Sequence, residues 1–391
     1  MRRVILAAIV AVAVVLPAAA ASAGRHTAKI RLALVPLQTA QLGSAGASLA
    51  LAYGSGPTSN DGGSGFVVST VSSSSRSGSG PSGLVGGYVL DYGDPFTGAT
   101  GVTEIRSSVE EYKTRREAWR GLDVALFLDG LETVFLGSPS APVKEKKVKP
   151  VPVGQARFGY LITRAAANLN PIVMLDEQVA AGRFVLDLTV TAGSESAAER
   201  IAPHLLLVLH RRLQLVLGRR LSAEKPPKLP PEPKSGQAPG GPDLSTLIVQ
   251  PPDVGQSHAV NLFQGYTVGP PTLSDFVMIL QPAGTYDQLI QQVGWWPTAT
   301  EATYGEMYGG GNLFSVLFAA SDGAASPVDL SAVGDGAVGY LISGAGQSMV
   351  EITLTNGQAG ESIFATSNST LHASDVQSLA QAAANRLNAG L

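Results

Sequence analysis

The chain contains no cysteine. That absence excludes disulfide stapling, thiol catalysis, iron–sulfur clusters and cysteine-zinc sites together. The fold must rest on burial alone, which domains of about 150 residues can manage. Charge is scarce too. Asp, Glu, Lys and Arg make up 15% of 391 residues, against roughly a quarter in ordinary globular proteins. The formal net charge of −3 argues against non-specific nucleic-acid binding. Only five histidines occur, His26, His204, His210, His258 and His372, and none has metal-ligand spacing with another histidine or a carboxylate. No Gly-x-Ser-x-Gly elbow, Walker loop or dinucleotide fingerprint is present. The sequence therefore assigns no catalytic residue, no metal ligand and no cofactor.

What is present begins with a secretory signal. Arg2 and Arg3 precede an apolar run from Val4 to Leu16, and Ala21-Ser22-Ala23 is a small-residue cleavage site. These features predict cleavage after Ala23 and an extracytoplasmic protein, secreted or associated with the cell envelope. An uncleaved anchor over Val4 to Ala23 is the alternative.

The chain then repeats itself. Val153-Gly154-Gln155-Ala156-Arg157-Phe158-Gly159-Tyr160-Leu161-Ile162 recurs as Val333-Gly334-Asp335-Gly336-Ala337-Val338-Gly339-Tyr340-Leu341-Ile342. The same shift places Ile172 on Ile352, Gln178 on Gln358 and Phe184 on Phe364. Arg212-Leu213 matches Arg386-Leu387 once about six residues are dropped from the second copy. A duplicated domain accounts for this pattern. The expected organisation is a signal peptide over 1–23, a first domain over 24–221, a proline-rich linker over 222–243 and a second domain over 244–391. The first domain carries a Gly/Ser-rich insertion over 54–83, too poor in apolar residues to order itself. The linker, with Pro226-Pro227 and Pro230-Pro231 among charges, predicts a polyproline II spacer.

Local patterns predict a mixed content. Leu84 to Tyr92, Leu273 to Gln281, Gly101 to Tyr112 and Thr298 to Tyr308 suggest strands. Thr114 to Phe127 suggests a helix, with Leu313 to Ala320 as its ambiguous counterpart. Ser374 to Gly390 brackets an amphipathic closing helix bearing Val376, Leu379, Ala380, Ala383 and Leu387. In the first copy Ser196 and Glu199 suggest a capping box. The fold class expected is α+β: two duplicated domains, each a mostly antiparallel sheet with helices packed on one face.

The signal, this element order and the turn Val333-Gly334-Asp335-Gly336-Ala337, echoed by Val153-Gly154-Gln155-Ala156, resemble the PknH-type extracellular sensor domain of actinobacterial receptor kinases and related exported proteins. The resemblance covers roughly 30–222 and 244–391. It implies an antiparallel sheet with helices and a ligand-binding cleft. Two departures stand out: those kinase-linked domains resemble disulfide-bonded units, and no kinase domain is present here.

Candidate sites are few. Trp295, Trp296, Tyr304 and Tyr308 form the aromatic concentration of the chain, flanked by Asp287-Gln288 and Gln291-Gln292. They suggest a platform for an apolar or carbohydrate envelope ligand; core packing is the alternative. Glu104, Glu110 and Glu111, and Glu301 with Glu306, are carboxylates close in sequence, suited to glycoside chemistry or to a solvated face. Leu205 to Leu217 combines an apolar run with His210, Arg211 and Arg212, suiting contact with a membrane surface or burial against its own sheet. The leading function is an exported, non-enzymatic ligand-binding or sensor-like protein. A structural or adaptor role with an envelope protein partner, and a cell-wall glycoside hydrolase, are the alternatives.

Overall fold

The computed structural model describes residues 31–46, 49–55, 83–122, 143–166, 168–221, 223–229, 236–255, 260–267, 272–310, 324–334, 336–344 and 347–391. The signal segment 1–23, most of the 54–83 insertion and Leu313 to Ala320 lie outside them. Among the described residues the strands form two seven-stranded antiparallel sheets. The first contains β1 (Leu51–Ser55), β2 (Leu84–Gly93), β3 (Val102–Tyr112), β4 (Val143–Val148), β5 (Ala156–Arg164), β6 (Ile172–Ala181) and β7 (Phe184–Ala192). A helix α1 starts after β3 over 115–122, and α2 (Glu195–Leu217) closes the copy. The second contains β8 (Val260–Thr267), β9 (Ser274–Gln281), β10 (Gln288–Trp295), β11 (Ala324–Val328), β12 (Val338–Gly344), β13 (Gln347–Asn356) and β14 (Ala359–Ser367). Its helices are α3 (Ala299–Gly305), which runs into a π-turn (Glu306–Gly310), and α4 (Ala373–Ala389).

The spatial orders are β1-β2-β3-β7-β6-β5-β4 and β8-β9-β10-β14-β13-β12-β11, the same path traced twice. Tyr160 and Tyr340 occupy equivalent positions on β5 and β12, opposite Asp176 and Glu351. The likeness extends to the segment before the first strand. Gln38 with Gln41, and Gln250 with Asp253, form matching capping boxes, each ending near a left-handed glycine, Gly43 or Gly255. The Leu37 N–H donates to Ser107 Oγ on β3 (3.0 Å), and the Val249 N–H to Gln291 Oε1 on β10 (2.9 Å). Arg212 on α2 donates to the Leu34 carbonyl (3.0 and 2.6 Å), and Arg386 on α4 holds Asp253 (2.7 and 2.9 Å). Each closing helix thus ties down the entry of its own copy.

Alternation puts one face of each sheet under the closing helix. In the first copy Leu90, Ile105, Leu186, Leu188 and Val190 meet Leu205, Leu206, Leu209 and Leu213 of α2. In the second, Val293, Val350, Ile352 and Ile363 meet Val376, Leu379, Ala383 and Leu387 of α4. The inner face of Leu205 to Leu217 is therefore sheet core, while Leu207 and Leu217 remain exposed. The helix after the third strand lies over the other face: Ala118 and Leu122 pack with Tyr112, Ala180 and Val185.

Several local expectations shift. Tyr160 and Tyr340 match as expected, but seven residues (165–171) join β5 to β6 whereas two join β12 to β13. Phe184 is consequently equivalent to Ala359, not Phe364, because both follow the β-turn of the next hairpin. Ile172 and Gln178 lose their sequence partners for the same reason. Thr298 to Tyr308 is helical: Thr298 caps α3, its hydroxyl accepting the Glu301 N–H at 3.1 Å. The strand equivalent to β3 is instead the Gln-rich β10. Ser194, not Ser196, caps α2, and α2 continues through Pro203. The linker's described ends are pinned. Leu221 and Leu229 pack on the first core, and Glu224 accepts from Arg212 at 3.0 Å.

Candidate functional site

Two regions stand apart from the cores. The first is the face of the first sheet turned away from α2. Its strands alternate, so every second residue of β3 after Glu104 faces that way: Arg106, Ser108 and Glu110, with the buried Ile105 and Val109 opposite. Register brings Asp91 of β2 beside Arg106, Arg106 beside Thr189 of β7, and Thr189 beside Asp176 of β6. Asp187 lies between Ser108 and Gln178 in the next row, and Glu104 beside Thr191 in the one before. Five carboxyl groups thus surround one guanidinium on a half-buried face.

These carboxyls are paired. Asp91 hydrogen-bonds Glu104, and Asp187 hydrogen-bonds Asp176. Burial pushes Asp91 and Asp187 well above the ordinary carboxyl range, and the adjacent Glu104 and Asp176 push each further. Neutral donors support their partners: Thr191 Oγ1 donates to Glu104 (2.6 Å) and Gln178 Nε2 to Asp176 (3.2 Å). Tyr112 Oη donates to Glu110 at 2.6 Å. At the edge of this face the buried Tyr160 meets Phe158 edge-on at 5.9 Å, and Phe158 packs on the cluster under α1. Among the described residues no group of three His, Cys, Asp or Glu side chains is placed to hold a metal ion.

The second region joins the copies. Trp296, Tyr304 and Tyr308 are buried (5%, 8% and 0% exposed) together with Phe96, Ala166 and Ile172 of the first copy. Phe96 and Trp296 meet edge to face at 5.8 Å. Tyr308 Oη accepts the Ala166 N–H (3.0 Å) and donates to the Asn170 carbonyl (3.0 Å), while Tyr304 Oη accepts the Asn170 N–H (3.1 Å). Arg164 lies 5.9 Å from the Tyr308 ring centroid. Gly98, at φ +71°, leaves the space that the Tyr304 ring occupies.

The expected aromatic platform is therefore divided. Trp295 ends β10 on the α4 side and packs half-buried on the second core, beside Gly241. Trp296, one residue on, turns to the opposite side, as strand alternation requires. The three rings that gather do so against protein, which supports the packing alternative for them. Gln291 is spent on Val249, and Asp287 accepts the Asn368 N–H at 2.6 Å. Glu111 faces away from Glu104 and Glu110 and pairs with Arg183 at 2.5 Å. Glu301 and Glu306 are on helix, not strand, and Glu306 is buried. Asp91, Arg106, Asp176 and Asp187 were missed by sequence reasoning, although the alternation Glu104-x-Arg106-x-Ser108-x-Glu110 was visible.

No protein-family model matches the chain, and no curated protein matches its sequence. Among the described residues, no helix is long and apolar enough to cross a membrane.

Proposed function

We propose that this protein is an exported, non-enzymatic ligand-binding or sensor-like module of the cell envelope, with its ligand site on the carboxyl-lined face of the first sheet. The observation that carries this reading is the convergence of Asp91, Glu104, Glu110, Asp176 and Asp187 around Arg106 on one half-buried face. Carboxyls and a guanidinium recognise hydroxyl and ammonium groups. An amino-sugar oligomer fits this chemistry better than an apolar ligand. The N-terminal signal and the likeness to the PknH-type sensor domain support an envelope setting. Hydrolysis fits less well. Carboxyls in direct hydrogen-bond contact stand closer than the roughly 5 Å or more that glycoside cleavage uses. Leu207 and Leu217, exposed on α2 (46% and 41%), favour the adaptor alternative as the second reading.

Isothermal titration with glucosamine oligomers, and with their N-acetylated forms, tests the proposal. Binding of the amino form that weakens at least about tenfold in Asp176→Asn/Asp187→Asn supports it. Absence of heat with either oligomer, or binding unchanged in that variant, refutes it.

A further inference from the structure

The second copy, residues 244–391, contains eleven Asp and Glu residues and a single Lys or Arg, Arg386. Arg386 is committed to Asp253. Two of the eleven acids are buried on the sheet face turned toward the first copy, Asp275 on β9 (3% exposed) and Glu306 in the π-turn (4%), while Glu361 on β14 (0%) is buried on the α4 side with Val293 and Ile363. Their placement follows from glycines. Gly294 and Gly360 are cross-strand partners in the middle of the second sheet. A Cβ on Gly294 would meet Asp275 Oδ1 (2.9 Å) and Trp296 Nε1 (3.0 Å), and one on Gly360 would overlap the Glu306 side chain. The missing side chains leave a shallow well in which Glu306 and Trp296 seat.

Glu306 is gripped there. Trp296 Nε1 donates to its Oε1 at 3.2 Å and Ser362 Oγ to its Oε2 at 2.7 Å. Gly305 lies against the Trp296 ring, where any Cβ would overlap it. The well therefore fixes Trp296 and the π-turn bearing Tyr308, two of the groups that touch the first copy. These two donors can hold one carboxylate. Asp275 takes weaker support, a hydrogen bond from Thr272 Oγ1 to its Oδ2 (2.9 Å) and one from Gln292, and the neighbouring Glu306 carboxyl opposes its ionisation. Glu351 on β13 adds a further buried acid to the same sheet. Arg164, against the Tyr308 ring, brings positive charge from the first copy.

We propose that this buried carboxyl cluster is a proton-operated latch on the contact between the two copies. While at most one member is ionised, α3 and its π-turn stay seated and the rings stay docked. When a second ionises, repulsion inside the well unseats the π-turn and releases Tyr304 and Tyr308. The direction follows from desolvation, which pushes Glu306 up to about 7 and Asp275 up to about 8. Acids held above their ordinary range favour the docked state fully below that range. They lose this contribution as pH rises, and it is spent once pH passes about 8. The latch closes in mild acid and opens in mild alkali, whatever the carboxyl face of the first sheet binds.

Amide hydrogen exchange on the full chain reads this directly. The Ala166 and Asn170 N–H groups are protected by the Tyr308 and Tyr304 hydroxyls, whereas Leu188 in β7 and Ile363 in β14 sit deep in their sheets and report the fold of each copy. After correction for intrinsic rates, the protection of Ala166 and Asn170 should fall at least about tenfold between about pH 5.5 and about pH 8.5, with Leu188 and Ile363 unchanged. In Glu306→Gln/Asp275→Asn the fall should shrink to less than about threefold. Equal protection at both pH values in the unaltered protein overturns the latch, as does an undiminished fall in a folded double variant. If the double variant loses Leu188 or Ile363 protection, Asp275→Asn alone decides by the same comparison.

Discussion

The two copies share one strand order and opposite chemistry on the face turned away from the closing helix. Register equates Asp91 with Ile279, Arg106 with Ile290, Thr189 with Phe364 and Asp187 with Ser362. Where the first sheet gathers carboxyls around a guanidinium, the second packs Ile279, Ile290, Ile342, Met349 and Phe364 together. On the helix-covered face both keep branched aliphatics. The face that makes the core is held by packing, since lost core volume is costly. The other face was free to diverge, and each copy used that freedom differently. The asymmetry also built the contact between them. The longer 165–171 connection in the first copy supplies Ala166 and Asn170, which receive the tyrosines of the second.

The largest expected effect distinguishes the two adjacent tryptophans. Trp296→Ala removes the ring that fills the glycine well and meets Phe96, so it should cost on the order of 3–5 kcal/mol and separate the melting of the two copies. Calorimetry of the full chain checks this; one unchanged cooperative transition would contradict the joint role of Trp296.

Protonation comes next. Burial raises Asp94 to about 6, Glu177 to about 7, Glu306 to about 7 and Asp275 to about 8. Each folded value lies above the unfolded one, so the associated stability is present below the unfolded value and lost as pH rises through the folded one. The protein should be more stable at about pH 5 than at about pH 8, by more than about 3 kcal/mol. Chemical denaturation at both values measures it. Because such groups occur in both copies, a shift confined to one would sharpen the comparison.

A smaller loss is expected from Tyr308→Phe, which leaves the Ala166 N–H and the Asn170 carbonyl without their partner. It should cost about 1–3 kcal/mol in the contact while each sheet keeps its own protection. Smallest of all is Asp187→Ser, which gives the first copy the residue that the second has at that position. Replacing a buried carboxyl whose ionisation burial already disfavours should change stability by less than about 1 kcal/mol in either direction. A large loss would mean that the carboxyl array holds the first sheet together.

Much of this fold was legible. The repeated Gly-Tyr-Leu-Ile block marked equivalent strands, and Arg212-Leu213 with Arg386-Leu387 marked equivalent helix turns whose arginines perform the same tie. The placement of the gap was not legible. Hydrophobic letters recur often enough in β6, β7, β13 and β14 for Phe184 to find Phe364 by chance, whereas hairpin pairing admits only Ala359. Strand β10 escaped notice because its polar residues are buried: Gln291 faces the helix side, satisfied by the Val249 backbone. The carboxyl face was hidden for another reason. Its members come from four strands up to about 100 residues apart, and only half of the pattern, on β3, lies in one stretch of chain.

The sequence by itself determined the duplication, the α+β composition and the amphipathic closing helices, because these depend on local periodicity and on turn residues that act over a few positions. Only the tertiary structure decided what the aromatics and carboxyls do. Whether Trp296 meets solvent or Phe96, and whether Asp176 stands alone or hydrogen-bonds Asp187, depends on strand register and on how one copy sits against the other. Those are contacts between residues distant in sequence, and no local pattern encodes the distance between them.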